Sequence, residues 1–376
     1  MLLLNPYTHD TRVEKEAATL RGAGYRVTVL ALADEGLPIQ EVRDGIRVHR
    51  VRRPLWPPIL RFFLLRRRFA RALRGLRPEI IHAHDTETLD VAIGIGAELG
   101  APVVYDGHEL WLERVRRERS AAYSLLARWY YRRVERRFLA RADAWITVST
   151  PIARHLEKAY GLPRVAVVPN YPDRQSEIQP RELRRLPGAE RIPEDAPVVL
   201  YVGNATEGRG IEELVAAVAR VPAAHLALLG ASAHADLVSR ESRRHGITDR
   251  VHAIPRVPSG EVVAYAASAT VGVSPVPPTS LSYEYSLPNK LFQYMQAGLP
   301  VVASDFPQVR EVVVASGAGI TVDVRNVRAL AEAIRVYVDD ADRRTQDGAR
   351  GREAVDDRYN WSTSAEALLE VYAGLD

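Results

Sequence analysis

A lysine near the predicted start of a helix is the first group in this chain that could bind a phosphate. Residues 286–304 read SLPNKLFQYMQAGLPVVAS, which predicts a helix with Pro288 at its first position that is stopped by Gly-Leu-Pro before a buried strand. Lys290 would lie in the first turn, where free backbone N–H groups and a cation favour a diphosphate. Gln293 lies one turn further along, where its amide could reach a ribose diol. A capped amphipathic helix with a merely solvated polar face would give the same pattern.

A glycine-bearing loop is a second candidate for phosphate contact. Residues 201–211 read YVGNATEGRGI, which predicts a strand, a loop containing Gly203 and Asn204, and a helix that starts near Arg209. Glycines let the backbone approach a phosphate, and an arginine could bind two of its oxygens. The spacing matches neither GxGxxG nor a P-loop, so dinucleotide and P-loop NTPase functions lose support. Taken alone, a βα turn with an exposed arginine is the simpler interpretation.

Three polar side chains follow a predicted strand in the first half of the chain. Residues 103–111 read VVYDGHELW, which places Asp106, His108 and Glu109 just past the strand end. His108 is the best candidate for contact with a substrate, with Glu109 or Asp106 as its carboxylate partner. A structural role is the commoner one for a single loop histidine.

A pair of histidines lies on another predicted strand. Residues 81–85 read IHAHD, and positions two apart share one face of a strand, so His82 and His84 could be two metal ligands. The sequence shows no third ligand nearby, and cysteine is absent from the chain. We therefore expect no metal.

Short aliphatic strands alternate with helical stretches from end to end, the pattern of parallel sheets with helices on both faces. The length of 376 residues and an apolar fraction of 47% fit two ordinary domains. The fold class is therefore α/β, with two Rossmann-like domains, and ligands should bind beyond the carboxyl ends of the strands in a cleft between domains. The predicted strands are 2–4, 26–31, 46–51, 80–83, 102–105, 144–148 and 165–168, followed by 198–202, 226–229, 251–254, 271–273, 301–303 and 320–322.

The predicted domain boundary lies where the apolar periodicity is lost. The stretch 173–196 is rich in Pro, Glu, Arg and Gln and is predicted to be a linker. The N-terminal domain is then 1–172 and the C-terminal domain 197–360, with a C-terminal helix over 361–376.

Positive charge is concentrated in two segments of the first half. Residues 52–77 contain nine arginines and no acidic residue, and residues 114–141 contain ten arginines and two glutamates. Helices predicted over 61–77 and 114–141 could lie on an anionic membrane surface or hold an acidic or lipid-linked acceptor. An arginine-rich solvated face is an equal alternative. No nucleic-acid-binding motif is present, so no nucleic-acid partner is expected.

The chain shows no targeting or spanning segment. No run of 18 apolar residues occurs, and the start of the sequence lacks the basic stretch of a signal peptide. We expect a cytoplasmic protein, which the basic helices could bring to the inner face of the membrane.

Several stretches, taken in their order and spacing, resemble glycosyltransferase family 4, the retaining GT-B enzymes, in the subgroup with a Leu-Pro-Asn-Lys motif. The likeness spans nearly the whole chain. The stretches are Asp10-Thr-Arg12-Val13, His82-Ala-His84-Asp85, Tyr105-Asp-Gly-His-Glu-Leu-Trp111, Val168-Pro-Asn170, Gly208-Arg-Gly210 and Leu287-Pro-Asn-Lys-Leu-Phe-Gln-Tyr294.

The resemblance implies a GT-B fold in which the two domains bind different substrates. The C-terminal domain would hold the donor nucleotide, with Arg209 and Lys290 neutralising the leaving diphosphate in place of a metal. The N-terminal domain would hold the acceptor, and His108 would lie near the donor sugar. The departing phosphate would take the acceptor's proton during same-face attack. The acceptor-side residues implied by the resemblance are Asp10, Arg12, His84 and Asp85.

Two departures from the family pattern concern the donor and first-strand regions. Family members usually have two glutamates with seven residues between them, but here those positions are Tyr285 and Gln293, and Glu284 is one residue out of step. The usual glycine pair near the first strand is replaced by the sequence PYTHD at 6–10. Glutamine can still bond a ribose, but it lacks the glutamate's charge.

The predicted function is therefore a metal-independent retaining glycosyltransferase that uses a UDP- or GDP-sugar. Its acceptor would be a glycan, a lipid-linked molecule or a small molecule, in the assembly of cell-surface or exported polysaccharide. A sugar-nucleotide binding protein without catalysis is an alternative motivated by Gln293. A nucleotide-sugar 2-epimerase is a further alternative, against which the Leu-Pro-Asn-Lys motif argues.

Overall fold

The computed structural model describes residues 1–8, 10–56, 58–113 and 121–375. The chain divides into two compact units. Unit 1 is Met1–Asn170 together with Thr363–Asp376, and unit 2 is Tyr171–Ser362. Both are built from parallel strands and helices, so the predicted α/β class with two parallel sheets is confirmed.

Unit 1 alternates strands with helices along the chain. Its strands are β1 (Thr28–Leu32), β2 (Gln40–Arg43), β3 (Ile46–Val51), β4 (Ile81–His84), β5 (Val103–Gly107), β6 (Ala144–Thr147) and β7 (Ala166–Val167). Its helices are α1 (Thr11–Gly22), α2 (Pro58–Leu76), α3 (Thr86–Leu99), α4 (Ala121–Phe138) and α5 (Thr150–Tyr160).

The strands of unit 1 are joined through the first residues of the chain. One part of the sheet has the order β1-β3-β2 and the other has the order β4-β5-β6-β7. Leu2 makes single parallel bridges to Leu30 on one side and to Ala83 on the other, so the predicted strand 2–4 is reduced to this bridge. All pairs are parallel except β2 with β3, a hairpin that the sequence analysis missed. Its turn at Asp44–Gly45 has both φ angles positive, as hairpin turns favour.

Unit 2 contains a second, larger parallel sheet with the order β10-β9-β8-β11-β12-β13. Its strands are β8 (Val198–Val202), β9 (His225–Leu229), β10 (Val251–Ile254), β11 (Val271–Ser274), β12 (Val301–Ser304) and β13 (Gly319–Val322). Its helices are α6 (Ile211–Ala219), α7 (Ala235–Arg244), α8 (Val262–Ala266), α9 (Leu281–Glu284), α10 (Asn289–Gln296), α11 (Pro307–Val313), α12 (Val327–Asp339) and α13 (Ala341–Asp357), and α14 (Trp361–Ala373) runs from this unit into unit 1.

The core of unit 2 lies on both faces of its sheet. One face packs against α10 and the other against α6 and α12. The stretch 173–196, predicted as a linker, lacks strands but buries Leu183, Ala189 and Ile192 in the first of these cores. Its apolar residues are too widely spaced to produce a periodic signal, which is why the sequence suggested a linker.

The basic helices α2 and α4 of unit 1 both pack against α3. They meet each other at Phe62 and Tyr130, whose ring centroids are 5.0 Å apart. Arg66 is anchored between them by two 2.7 Å hydrogen bonds to Asp90. The predicted basic segment begins at residue 114, but 114–120 lie outside the described residues. Within the described residues, no helix is long and apolar enough to cross a membrane.

Candidate active site

The two phosphate-binding candidates of unit 2 meet at the carboxyl end of β8. Gly203, directly after the strand, has φ +122°, and a Cβ there would lie 3.6 Å from the ammonium nitrogen of Lys290. That ammonium sits 3.8 Å from the centroid of the Tyr201 ring, a cation–π contact. The helix that carries Lys290, α10, begins at Asn289, so the lysine lies in its first turn as predicted. The carboxyl end of β8 therefore brings together a glycine backbone, a cation and a helix N-terminus.

Arg209 is held beside this group by an obligatory glycine. Gly210 has φ +78°, and a Cβ there would lie 1.7 Å from the carbonyl oxygen of Pro275, so no other residue fits. The helix α6 begins one residue later, at Ile211, two residues after the predicted start. Arg209 is exposed, and its guanidinium carbon lies 5.0 Å from the Tyr283 ring centroid.

The two cations of this site act on each other. Burial lowers the pKa of the Lys290 ammonium to about 7, and the positive charge of Arg209 lowers it in the same direction. Neither effect is offset by a carboxylate. An anion that binds beside Lys290 stabilises the charged form of the ammonium and so raises its pKa again.

A third cation near this site was missed by the sequence analysis. Arg256 follows β10, and its Nη2 donates a 2.7 Å hydrogen bond to Oδ1 of Asn204. Asn204 was predicted as a donor-binding residue, and its carbonyl oxygen accepts from the Tyr201 hydroxyl at 3.0 Å. The position of Arg256, two residues past a predicted strand, was the signal that could have revealed it.

The remaining predicted donor-side residues lie along α10. Asn289 is exposed at the first position of the helix, and Gln293 is half-buried one turn later. Glu284, the acid one residue out of step with the family pattern, ends the short helix α9. The contacts of Asn289 and Gln293 with a nucleotide stay predictions.

In unit 1, His108 lies between two carboxylates. Its Nε2 is 3.1 Å from Oδ2 of Asp106 and its Nδ1 is 3.5 Å from Oδ2 of Asp85. Its backbone N–H also donates to Asp85 at 3.0 Å. Although burial lowers the pKa of His108, the negative charges of Asp85 and Asp106 raise it to about 10. The side chains of His108 and Asp85 are 24% and 31% exposed, so these two residues form the accessible face of the cluster.

Asp106 itself is completely buried and held by Arg12. The guanidinium of Arg12 donates from Nε and Nη2 to the two carboxylate oxygens at 3.0 and 2.8 Å. Burial alone would raise the pKa of Asp106, but the charges of Arg12 and His108 hold it well below its usual range. Arg12 is also buried, and its Nη1 donates to the carbonyl oxygen of Val168. Asp106 therefore fixes the position of His108 from its buried side, and Arg12 fixes the position of Asp106.

The other predicted residues of unit 1 have different surroundings. Asp85 has φ +60°, a strained conformation at the junction of β4 and α3. Asp10 caps α1 by accepting from the backbone N–H of Val13. His84 is buried, with its Nδ1 3.2 Å from Asp106. Glu109 is half-buried, and its role as carboxylate partner stays a prediction. His9, within the stretch at 6–10, lies outside the described residues.

Two buried carboxylates that could serve as further ligands lie beside the histidine pair. Glu16 of α1 and Asp106 of β5 join His82 and His84, and one ligand atom from each of the four lies within 4.8 Å of the others. Glu16 is separated from His82 by 66 residues, so nothing local in the sequence indicated this meeting. The reason given for expecting no metal, the lack of a third ligand, is therefore wrong.

The two halves of the chain match two glycosyltransferase families. Residues 10–175 match Glycosyltransferase Family 4, and residues 196–340 match the family of glycosyl transferases group 1. The chain belongs to glycosyltransferase family 4. Members of this family are retaining enzymes that use nucleotide sugars, so this family 4 chain is a glycosyltransferase.

Relatives and solved structures of this family 4 chain agree with that assignment. It is 25% identical over 306 residues to glycogen synthase of Mycobacterium tuberculosis, covering 80% of this chain and 69% of that protein. Sucrose-phosphate synthase from Thermosynechococcus elongatus has the same fold, with a TM-score of 0.80, 22% identity and coverage of 100% and 98%. Anabaena HepE, solved with UDP-glucose, gives a TM-score of 0.74 at 16% identity, with coverage of 99% and 98%.

Proposed function

We propose that this enzyme transfers a sugar, with retention, from a UDP- or GDP-sugar whose diphosphate binds between Lys290, Arg209 and the Gly203 loop. The observation that carries the proposal is the meeting of two cations with a helix N-terminus and a close backbone approach at one strand end. UDP-glucose bound in the related fold of HepE supports a uridine nucleotide as the first donor to test.

In this proposal the diphosphate is stabilised by protein cations. Lys290 and Arg209 would neutralise the charge that develops on the leaving phosphate, which is the largest electrostatic demand of the reaction. Arg256 and Asn204 extend the polar surface of the same site. Asn289 and Gln293 would contact the nucleotide from α10, with Gln293 directed at the ribose.

On the acceptor side we assign His108 to hydrogen-bond donation and not to proton abstraction. Both of its ring nitrogens face carboxylates, so both carry protons and neither has a lone pair available as a base. The departing phosphate would then take the acceptor's proton. Arg12, His84 and Asp106 are buried, so in this proposal they position His108 and do not touch the acceptor.

The exposed surface of α2 and α4 supports an acceptor held at a membrane. Large apolar side chains are exposed there beside arginines, among them Phe63 on α2 and Trp129 on α4, which are 52% and 61% exposed. Aromatic and aliphatic groups next to arginines are what the surface of an anionic bilayer favours. The acceptor would therefore be lipid-linked, or a glycan assembled at the inner face.

The donor site is tested by binding. Calorimetric titration of the protein with UDP-glucose, and with GDP-sugars in parallel, should give saturable binding. Arg209→Ala and Lys290→Ala should each weaken it at least tenfold, whereas Lys158→Ala, an exposed lysine of α5, should not. Equal affinity in all variants would exclude the proposed diphosphate site.

The membrane surface has its own test. Flotation with vesicles containing anionic lipid should recover the protein at low salt and release it at high salt. Trp129→Ala and Phe63→Ala should reduce recovery without changing nucleotide affinity. No recovery at low ionic strength would rule out this surface.

A binding protein without catalysis is the second candidate, favoured by Gln293 in place of the family's glutamate. It would bind the nucleotide sugar and release no nucleotide with any acceptor. Donor turnover, measured as nucleotide release on addition of candidate acceptors or membrane extract, separates the two functions.

A further inference from the structure

Three buried ligand atoms in unit 1 converge without hydrogen-bond partners. They are Nε2 of His82, Nε2 of His84 and the carboxylate oxygen Oε2 of Glu16. The oxygen lies 3.9 Å from the first nitrogen and 3.8 Å from the second. The three side chains are 1%, 2% and 0% exposed. Burying unpaired polar atoms is costly, so their convergence requires a shared partner.

The other ring nitrogen of each histidine is already fixed. Nδ1 of His82 lies 2.8 Å from the hydroxyl of Tyr372, which comes from the C-terminal helix α14. Nδ1 of His84 lies 3.2 Å from Oδ2 of Asp106. A histidine whose far nitrogen is held by a carboxylate or hydroxyl, with Nε2 turned inward, has the arrangement found in metal-bound histidines. The two rings are stacked with centroids 4.4 Å apart, and Nε2 of each ring lies within 4 Å of the same Glu16 oxygen.

Glu16 is oriented in the same way. Nε of Arg12 lies 2.9 Å from Oε1 of Glu16, and the other oxygen, Oε2, is the one that lies near both histidines. The cluster contains three carboxylates, Glu16, Asp85 and Asp106. Of these, Glu16 and Asp106 share the guanidinium of Arg12.

From this geometry we propose that unit 1 binds one transition-metal dication of the Zn²⁺ class through Nε2 of His82, Nε2 of His84 and Oε2 of Glu16, with Asp106 holding Nδ1 of His84. Ligand atoms on a tetrahedral zinc lie about 3.3 Å apart, so the 3.9 and 3.8 Å separations of the Glu16 oxygen from the two nitrogens must each shorten by about half an ångström. Two imidazoles and a carboxylate, with no thiolate, suit zinc, cobalt or ferrous iron better than magnesium or calcium. The site is independent of the donor diphosphate, which belongs to unit 2.

The first test is metal content. The wild-type protein is exposed to Zn²⁺ or Co²⁺, dialysed against metal-free buffer and analysed by mass spectrometry of the elements. One equivalent per chain is expected, with a visible Co²⁺ spectrum of a nitrogen and oxygen site. Less than a tenth of an equivalent of either ion overturns the proposal and leaves a buried water as the partner of the three atoms.

The second test assigns the ligands. His82→Gln and Glu16→Gln should lose the metal, at least a hundredfold in affinity. His252→Gln should keep it, and it is a matched control because His252 and His225 form another stacked pair in unit 2. In the part of the chain that the structure describes, that pair belongs to no group of three ligands. Full retention of metal by His82→Gln and Glu16→Gln overturns the proposal.

A third measurement uses the wild-type protein alone, so its result does not depend on whether the variants fold. X-ray absorption at the zinc edge of the wild-type protein counts the ligands directly. Two imidazoles with oxygen ligands support the site, whereas one imidazole or none overturns it. Nucleotide binding is measured separately, so loss of the donor site and absence of the metal remain distinguishable.

Discussion

Lys290 should couple nucleotide binding to the uptake of a proton. In the unliganded protein burial and Arg209 lower the pKa of this ammonium to about 7, so it is half deprotonated at neutral pH. A diphosphate beside it favours the charged form and raises the pKa again. Affinity therefore should be highest below pH 7 and should fall as the pH rises through the pKa of the free protein.

The size of the effect follows from the titration. If the bound lysine regains its ordinary pKa, the charged fraction of the free protein falls from about nine-tenths at pH 6 to about one-hundredth at pH 9, and affinity falls about 90-fold. Binding takes up about half a proton at pH 7 and close to one proton at pH 9. A nucleotide sugar is the right ligand, because its diphosphate does not itself titrate in this range.

The assay is calorimetry from pH 6 to pH 9 in pairs of buffers with different ionisation enthalpies. The wild-type protein should show the fall in affinity and the proton uptake. Lys290→Met should bind weakly at every pH without taking up a proton, and Lys158→Met should behave like the wild type. A flat profile in the wild type, or the same proton uptake in Lys290→Met, would refute the reasoning.

Three further predictions concern single residues. Gln293→Glu restores the family's acid at the ribose position, so donor affinity or turnover should rise several-fold in a binding or nucleotide-release assay; no change would remove the assigned ribose contact. Arg12→Met leaves Asp106 buried without its cation and should lower the free energy of unfolding by about 3–5 kcal/mol in urea titration; a change below about 1 kcal/mol would contradict the assigned ion pair. Gly210→Ala places a methyl against the Pro275 carbonyl and should cost about 2–3 kcal/mol, whereas Gly246→Ala, with open space around its Cβ, should cost less.

Much of the architecture could be predicted because it depends on local pattern. Buried parallel strands appear as short aliphatic runs, and residues just past those runs must lie at the carboxyl edge of a sheet. That reasoning placed Gly203 at the end of β8, and it placed Asp106 and His108 together at the end of β5. The family resemblance is what joined Arg209 and Lys290 in one site. The family resemblance supplied the assignment of donor and acceptor sides.

The parts that were missed depend on contacts between distant segments. Glu16 lies on α1, and it is buried against the histidines because of the way that helix packs. The periodicity of the sequence does not reveal which distant residues a helix packs against. The contact of Tyr372 with His82 joins residues 290 apart. Arg256 was passed over because a single arginine after a strand is common in so arginine-rich a chain. Residues such as Leu183 were assigned to a linker because isolated apolar positions carry no period.

Binding of a nucleotide sugar to unit 2 through Lys290 and Arg209 can be tested by a single calorimetric titration. The wild-type protein, without added divalent metal, is titrated with UDP-glucose and GDP-sugars beside Lys290→Ala and Arg209→Ala. We expect saturable binding of one nucleotide by the wild type, weakened at least tenfold in each variant. Absence of binding to all of these ligands, or binding that both variants retain unchanged, would contradict it.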